Sequence, residues 1–159
     1  MSIDAIDRQI IQATQSGLPL VAEPYQAVAH QVGLAAQEVM QRMERMRQDG
    51  VIRRIGAVPN HYKLGYCYNG MTVWDVDDKH VDALGRQVAE LPFVSHCYQR
   101  PRHLPHWPYN LFAMVHGRTE REAERQVADI ADLLGGYARS HEVLYSTRIL
   151  KKTGLRITG

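Results

Sequence analysis

Phe93-Val94-Ser95-His96-Cys97-Tyr98-Gln99-Arg100, then Pro101-Arg102-His103-Leu104-Pro105-His106-Trp107-Pro108, then Tyr109-Asn110-Leu111-Phe112-Ala113-Met114-Val115-His116 reads as two β-strands joined by a proline-rich loop. Working outward, Met71-Thr72-Val73-Trp74-Asp75-Val76 is apolar and β-rich and predicts another strand. Between them Asp77-Asp78 caps a predicted helix with Val81, Leu84, Val88 and Leu91 at helical spacing, closed by Pro92. Downstream, Thr119 caps a helix with Ala123, Val127, Ile130 and Leu134 on its apolar side, and Glu142 to Leu150 reads as the last strand. The order β-α-β-β-α-β is that of a ferredoxin-like domain, an antiparallel sheet with two helices on one face.

The N-terminal part has a different rhythm. Ile3, Ile6 and Ile10, with Ile11 beside them, put an apolar stripe on a helix from about 3 to 15, stopped by Gly17 and Pro19. A short helix follows Glu23-Pro24 and runs to Gly33, and a longer one spans about 35 to 48 with Val39, Met43 and Met46 on one side. Three helices, a Gly-bearing turn between the second and third, and an extended Val51-Ile52-Arg53-Arg54-Ile55 make the layout of a winged helix-turn-helix. The predicted organisation is therefore α+β, with a winged helix-turn-helix over residues 1–62 and a ferredoxin-like domain over 63–159.

Composition bounds what such a chain does. Its 159 residues exclude a large multidomain enzyme, and 45% hydrophobic with 23% charged residues is the balance of a chain that buries a core. A formal charge of +2 does not mark a nucleic-acid binder. Cys67 and Cys97 stand alone, without CxxC or metal-ligand spacing, which suits a reducing cytoplasm. There is no signal-like N-terminus and no uncharged apolar run of the ~18 residues a membrane span needs.

The eight histidines carry more information. Side chains alternate across a strand, so His96, Tyr98 and Arg100 share one face while Ser95, Cys97 and Gln99 take the other. A guanidinium fork binds carboxylates, and an imidazole titrating near neutral pH moves protons, so this row suits an acidic substrate and proton transfer. Arg148, read on the last strand, would add a second anion contact. The competing reading makes Arg100 a solvated edge charge and His96 a satisfied structural histidine. Trp107-Pro108-Tyr109, in a loop stiffened by prolines and carrying His103 and His106, forms a wall for a flat ligand such as a planar macrocycle, or else folds onto the core. His61, in Asn60-His61-Tyr62-Lys63, lies where the two halves meet. His30, His80, His116 and His141 have no partner pattern and read as structural.

A DNA-reading helix carries Arg, Lys, Asn or Gln at its start. Here the third helix opens Ala35-Ala36-Gln37-Glu38, its arginines Arg42, Arg45 and Arg47 come later beside Glu44 and Asp49, and only Arg53-Arg54 adds basic charge. This is a weak DNA-binding surface.

Arg53-Arg54-Ile55-Gly56-Ala57-Val58, Asn60-His61, His96-Cys97-Tyr98-Gln99-Arg100-Pro101 and Trp107-Pro108-Tyr109-Asn110 through Gly117 carry a resemblance. The chain resembles the Lrp/AsnC regulators in layout and the sirohaem decarboxylases in these motifs, over nearly its whole length. Tyr62 departs from the pattern, standing where an Arg follows the His in many relatives. The resemblance implies removal of the C12 and C18 acetate carboxyls of sirohaem, giving 12,18-didecarboxysirohaem for haem d1 or alternative haem biosynthesis. It implies a non-oxidative carboxy-lyase with no cofactor or metal beyond the iron of its substrate. Arg100 would then hold a carboxylate, His96 would deliver or orient the proton, and Tyr98 would support one of them. His61, Trp107, Tyr109 and Arg148 would bind the macrocycle. It further implies a related subunit in a hetero-oligomer or homodimer, no DNA and no membrane. The rival reading is an Lrp/AsnC-type DNA-binding transcription regulator with a small-molecule effector.

Overall fold

A computed structural model describes residues 3–148, 150–151 and 155–157. The chain forms two compact units, residues 1–58 with 151–159, and residues 59–150. The C-terminal segment, read from sequence as part of the sheet domain, thus groups with the helical one. Gln15 makes both amide bonds to the backbone of Ile157, accepting its N–H at 2.9 Å and donating to its carbonyl at 3.3 Å.

The helical unit holds α1 (Ala5–Thr14), α2 (Pro24–Val32) and α3 (Ala36–Gln48). Asp4 and Asp7 exchange side chain-to-backbone bonds that satisfy the first-turn amides of α1. Pro24 opens α2, and Gly33, at φ 70°, closes it in the left-handed conformation that a side chain resists. Ile10, Val28, Ala29, Val39, Met43 and Met46 form the core. The carboxylate of Asp7, although buried, is held by Arg42 at 3.0 Å and Arg45 at 2.6 Å. The expected wing does not form a strand. Among residues 51–58 only Ile52 tucks against the helices, and the exposed remainder finds no pairing strand for its backbone.

The sheet unit runs β1 (Tyr68–Val76), α4 (Val81–Ala89), β2 (Val94–Gln99), β3 (Leu111–Gly117), α5 (Glu120–Leu134), a 3-10 turn (Gly135–Tyr137) and β4 (Ala138–Tyr145). The antiparallel strands lie in the order β2-β3-β1-β4, the ferredoxin-like arrangement. Trp74, Val76, Leu111, Ala113 and Val115 on one face pack against Val81, Val88, Val127, Ile130 and Leu134 of the helices. The buried indole N–H of Trp74 donates to Thr72 Oγ1 (2.8 Å), whose own hydroxyl donates to the Ala113 carbonyl (2.9 Å). No helix among the described residues is long and apolar enough to cross a membrane.

Two boundaries differ from the sequence reading. Asp77 does not begin α4 directly: it accepts from the Lys79 amide and meets His80 Nδ1, building a turn from which the helix starts at Val81. The last strand starts at Ala138 and ends at Tyr145, four residues earlier and five shorter at its end than the expected Glu142–Leu150, because the Gly135-Gly136 turn returns the chain at once to pair with Val76. Ile149, included in that expected strand, lies outside the described residues.

Candidate functional site on the open sheet face

The sheet face away from the helices carries the candidate residues. Register places His96 opposite Met114 and Tyr98 opposite Phe112, with Asn69, Met71 and Val73 of β1 beyond. Val73, Tyr109 and Phe112 form a small apolar cluster there, with Met71 and Trp107 packed on it. Cys97 points the other way, as predicted; its thiol reaches the Gly85 carbonyl, and burial pushes its pKa up.

Ring contacts join the candidates into one belt. The His96 and Tyr98 rings are 6.1 Å apart, and the Arg100 guanidinium lies 5.5 Å from the Tyr98 ring and 5.0 Å from that of Phe112. Trp107 stacks on Phe112 at 6.3 Å and meets Tyr109 edge-on at 5.1 Å. Tyr109 is 7% exposed and its hydroxyl donates to Glu142 at 2.7 Å, a bond that holds its pKa above the ordinary phenol value. Tyr98, by contrast, is 46% exposed. Among the described residues Arg100 makes no ion pair, whereas Arg42, Arg45, Arg47, Arg86, Arg102 and Arg139 all do. Its charge is available to an acidic ligand, and beside it opens a depression of about 590 Å³ lined by Asp78, Gln99, Pro101, Arg102 and Asn110.

The loop carrying Trp107 is fastened at its base. Arg102 bonds Asp75, Asp78 and the carbonyls of Val76 and Pro108. Asn110, 2% exposed, accepts the Val76 N–H at 2.9 Å and donates to the Val76 carbonyl at 2.8 Å and to Asp78 at 2.9 Å. His103 and Trp107 exchange backbone bonds, leaving the His103 and His106 side chains exposed. Sequence reasoning missed Arg102, since nothing local announces its carboxylate partners. Asn110→Ala should lower stability by about 1–3 kcal/mol, because it strands the buried N–H of Val76, whose carbonyl still accepts from Arg102; urea unfolding measures this.

Two placements are corrected. Arg148 lies beyond the end of β4 and is exposed, so it is not on the strand from which an anion contact was expected. Ser95, expected beneath the sheet, is on the same side as His96, because the β2–β3 register shifts between Val94 and His96. This bulge lets two consecutive residues oppose one partner and face the same way.

The bulge also brings in His116, read from sequence as structural. Ser95 Oγ is 3.0 Å from His96 Nδ1 and 2.6 Å from His116 Nε2, and His116 Nδ1 is 2.5 Å from Asn69 Oδ1. His61, in the turn after Pro59, lies with its ring 5.7 Å from that of His116, edge-on. The site thus extends from His61 through His116, Ser95, His96, Tyr98 and Arg100 to Trp107 and Tyr109. His141 stacks on Trp74 at 4.4 Å and His80 packs on Tyr137 at 4.3 Å, both outside this belt.

Residues 7–53 match the family model described as the siroheme decarboxylase NirDL-like HTH domain, and residues 63–151 match the AsnC-like ligand binding domain. Among solved structures, E. coli AsnC has a TM-score of 0.79 at 20% identity, covering 98% of this chain and 99% of AsnC, a likeness of fold alone. The siroheme decarboxylase NirDL in co-complex with an iron-uroporphyrin III analogue has a TM-score of 0.66 at 31% identity, covering 96% of this chain and 47% of that one. The siroheme decarboxylase NirH subunit of Pseudomonas aeruginosa is 59% identical over 150 residues, 94% of this chain and 88% of that subunit. With that identity over nearly its full length, and both of its parts matched, this chain belongs to the sirohaem decarboxylase family.

Proposed function

We propose that this chain is a subunit of an enzyme that removes the C12 and C18 acetate carboxyls of sirohaem without oxidation, giving 12,18-didecarboxysirohaem. The observation that carries the reading is the row His96, Tyr98, Arg100 running into the half-buried Trp107 on one sheet face, with the buried Tyr109 behind it. A flat macrocycle lies against the aromatic wall, and a carboxylate pairs with the Arg100 fork. In each decarboxylation the bond between the acetate methylene and its carboxylate breaks, and CO2 leaves. The electron pair stays on the methylene and its pyrrole, and a proton from His96 completes the methyl group. Tyr98, beside both His96 and Arg100, supports the bound carboxylate by hydrogen bonding. The reading asks for no cofactor and no metal beyond the substrate's iron.

A sheet face covers a planar ligand from one side. The second side calls for a related subunit, in line with the subunit name of the Pseudomonas aeruginosa relative. The two free cysteines suit a cytoplasmic enzyme. Purified protein given sirohaem anaerobically, alone and with a related subunit, should yield tetrapyrrole lighter by one or two CO2 in mass spectrometry. Unchanged mass in every combination would exclude decarboxylation.

The helix-turn-helix serves as scaffold in this reading. Arg42 is bound to Asp4, Asp7 and Glu38, Arg45 to Asp7, and Arg47 to Glu44, so the arginines of α3 are already committed within their own unit. Little counterion release remains to drive DNA binding. Gel shifts on genomic fragments at about 0.1 M salt should show no discrete complex. A sequence-selective complex at nanomolar protein would restore the regulator reading.

A further inference from the structure

We propose that Asn69, His116 and Ser95 form a one-directional hydrogen-bond relay that fixes the tautomer and orientation of His96, making them positioning residues for decarboxylation. The inference rests on the reading of His96 as proton donor.

The direction of every bond follows from one anchor. Asn69 is 5% exposed, and its amide nitrogen donates to the Tyr66 carbonyl at 3.1 Å. A carbonyl only accepts, so the orientation of the Asn69 amide is set and its Oδ1 faces His116. That oxygen accepts from His116 Nδ1, which therefore carries the hydrogen. His116 Nε2 is then an acceptor, and the Ser95 hydroxyl donates to it. With its hydrogen committed, Ser95 Oγ accepts from His96 Nδ1–H. His96 is left with Nε2 as the nitrogen that takes up and releases a proton.

The framework holds these groups in place. The His116 backbone N–H donates to Gln126 Oε1 at 3.1 Å, and Gln126 Nε2 donates to the His116 carbonyl at 3.0 Å, so buried Gln126 clamps both backbone polar groups of His116. Asn69 and His116 are register partners across β1 and β3. The neighbouring Gly117 is required by space, since a Cβ there would lie 2.8 Å from the Ala123 nitrogen and the Thr119 carbonyl oxygen.

The chemical use follows. When the imidazolium of His96 gives its Nε2 proton to the methylene carbon, it becomes the neutral Nδ1–H tautomer, the form Ser95 accepts from. No proton has to move along the relay, and no bond in it has to reverse during the step. A histidine side chain free in water favours hydrogen on Nε2, which would leave the wrong nitrogen protonated for a donor that must be recharged at Nε2.

Ring-nitrogen NMR of the 15N-histidine-labelled resting protein reads the tautomer of His96 directly, with His96→Asn used for assignment. The expected wild-type result is a pyrrole-like Nδ1 and a pyridine-like Nε2. Ser95→Ala and His116→Gln should shift His96 toward the Nε2–H form, and Ser95→Thr should preserve the wild-type pattern. In anaerobic turnover of sirohaem, kcat should fall about 10–100-fold in the first two variants with KM nearly constant, and Ser95→Thr should recover it. Ser95 is exposed, so its alanine variant tests the idea even where His116→Gln disturbs folding. An unchanged His96 spectrum in Ser95→Ala overturns the relay. A shifted spectrum with unchanged kcat overturns its catalytic use. Full turnover in His96→Asn would instead sink the donor assignment and the use of the relay together, while the spectra still report separately whether the relay exists.

Discussion

Replacing His96 by asparagine should lower sirohaem turnover by about 10²–10⁴-fold while the macrocycle still binds, the range a positioned general acid contributes. Asparagine keeps a polar group of similar reach towards Ser95 but has no ring nitrogen to deliver a proton. The exposed position of His96 on the bulged strand means that little packing is lost, so the protein should unfold at nearly the wild-type temperature. The measurement is single-turnover product formation by mass spectrometry beside spectroscopic titration of bound sirohaem. His61→Asn belongs in the same series, because His61 borders the belt through His116. Loss of turnover in His61→Asn with retention in His96→Asn would move the donor to the other end of the site.

Arg100→Ala should weaken sirohaem binding about tenfold or more. A charge-assisted bond to a carboxylate is worth roughly 1.5–3 kcal/mol, and each 1.4 kcal/mol is about a factor of ten in affinity. The stability change should be small by comparison, since an exposed guanidinium over aromatic rings contributes about 0.5–1 kcal/mol, here against Tyr98 and Phe112. Arg100→Lys retains charge and loses the planar fork, so it should bind between wild type and alanine. Unchanged affinity with a collapsed melting temperature would assign Arg100 to the fold alone.

Much of this architecture was legible because its signals are local. The apolar periodicity of Ile3, Ile6 and Ile10, of Val39, Met43 and Met46, and of Val127, Ile130 and Leu134 places the residues that line the two cores. The alternation His96, Tyr98, Arg100 placed three candidates on one face, and the ring contacts show them together. What stayed hidden is non-local. Strand β4 begins Ala138-Arg139-Ser140-His141, polar and largely exposed at the sheet edge, so no apolar alternation announces it, and Arg148 was displaced with it. His116 looked isolated because its partner Asn69 is 47 residues away and adjacent only through strand register. Arg102 was passed over for the same reason, its acidic partners lying on the far side of α4 and β2 in sequence. The compensation of Arg42 and Arg45 by Asp7 likewise needs α1 and α3 folded together.

The irregularity in β2 separates what the sheet's core requires from what its other face carries. Val94 and Cys97 both pack against the helix-side core although three positions separate them, an odd interval that a regular strand would send to opposite faces. Removing Ser95 on paper restores strict alternation, with Val94 and Cys97 still below and His96, Tyr98 and Arg100 still above. Ser95 is a supernumerary residue of the strand, and the hydroxyl it carries joins two histidines on adjacent strands. A ferredoxin-like sheet of this kind can thus carry wiring between strands on a single extra residue, with Val94 and Cys97 both kept against the core underneath.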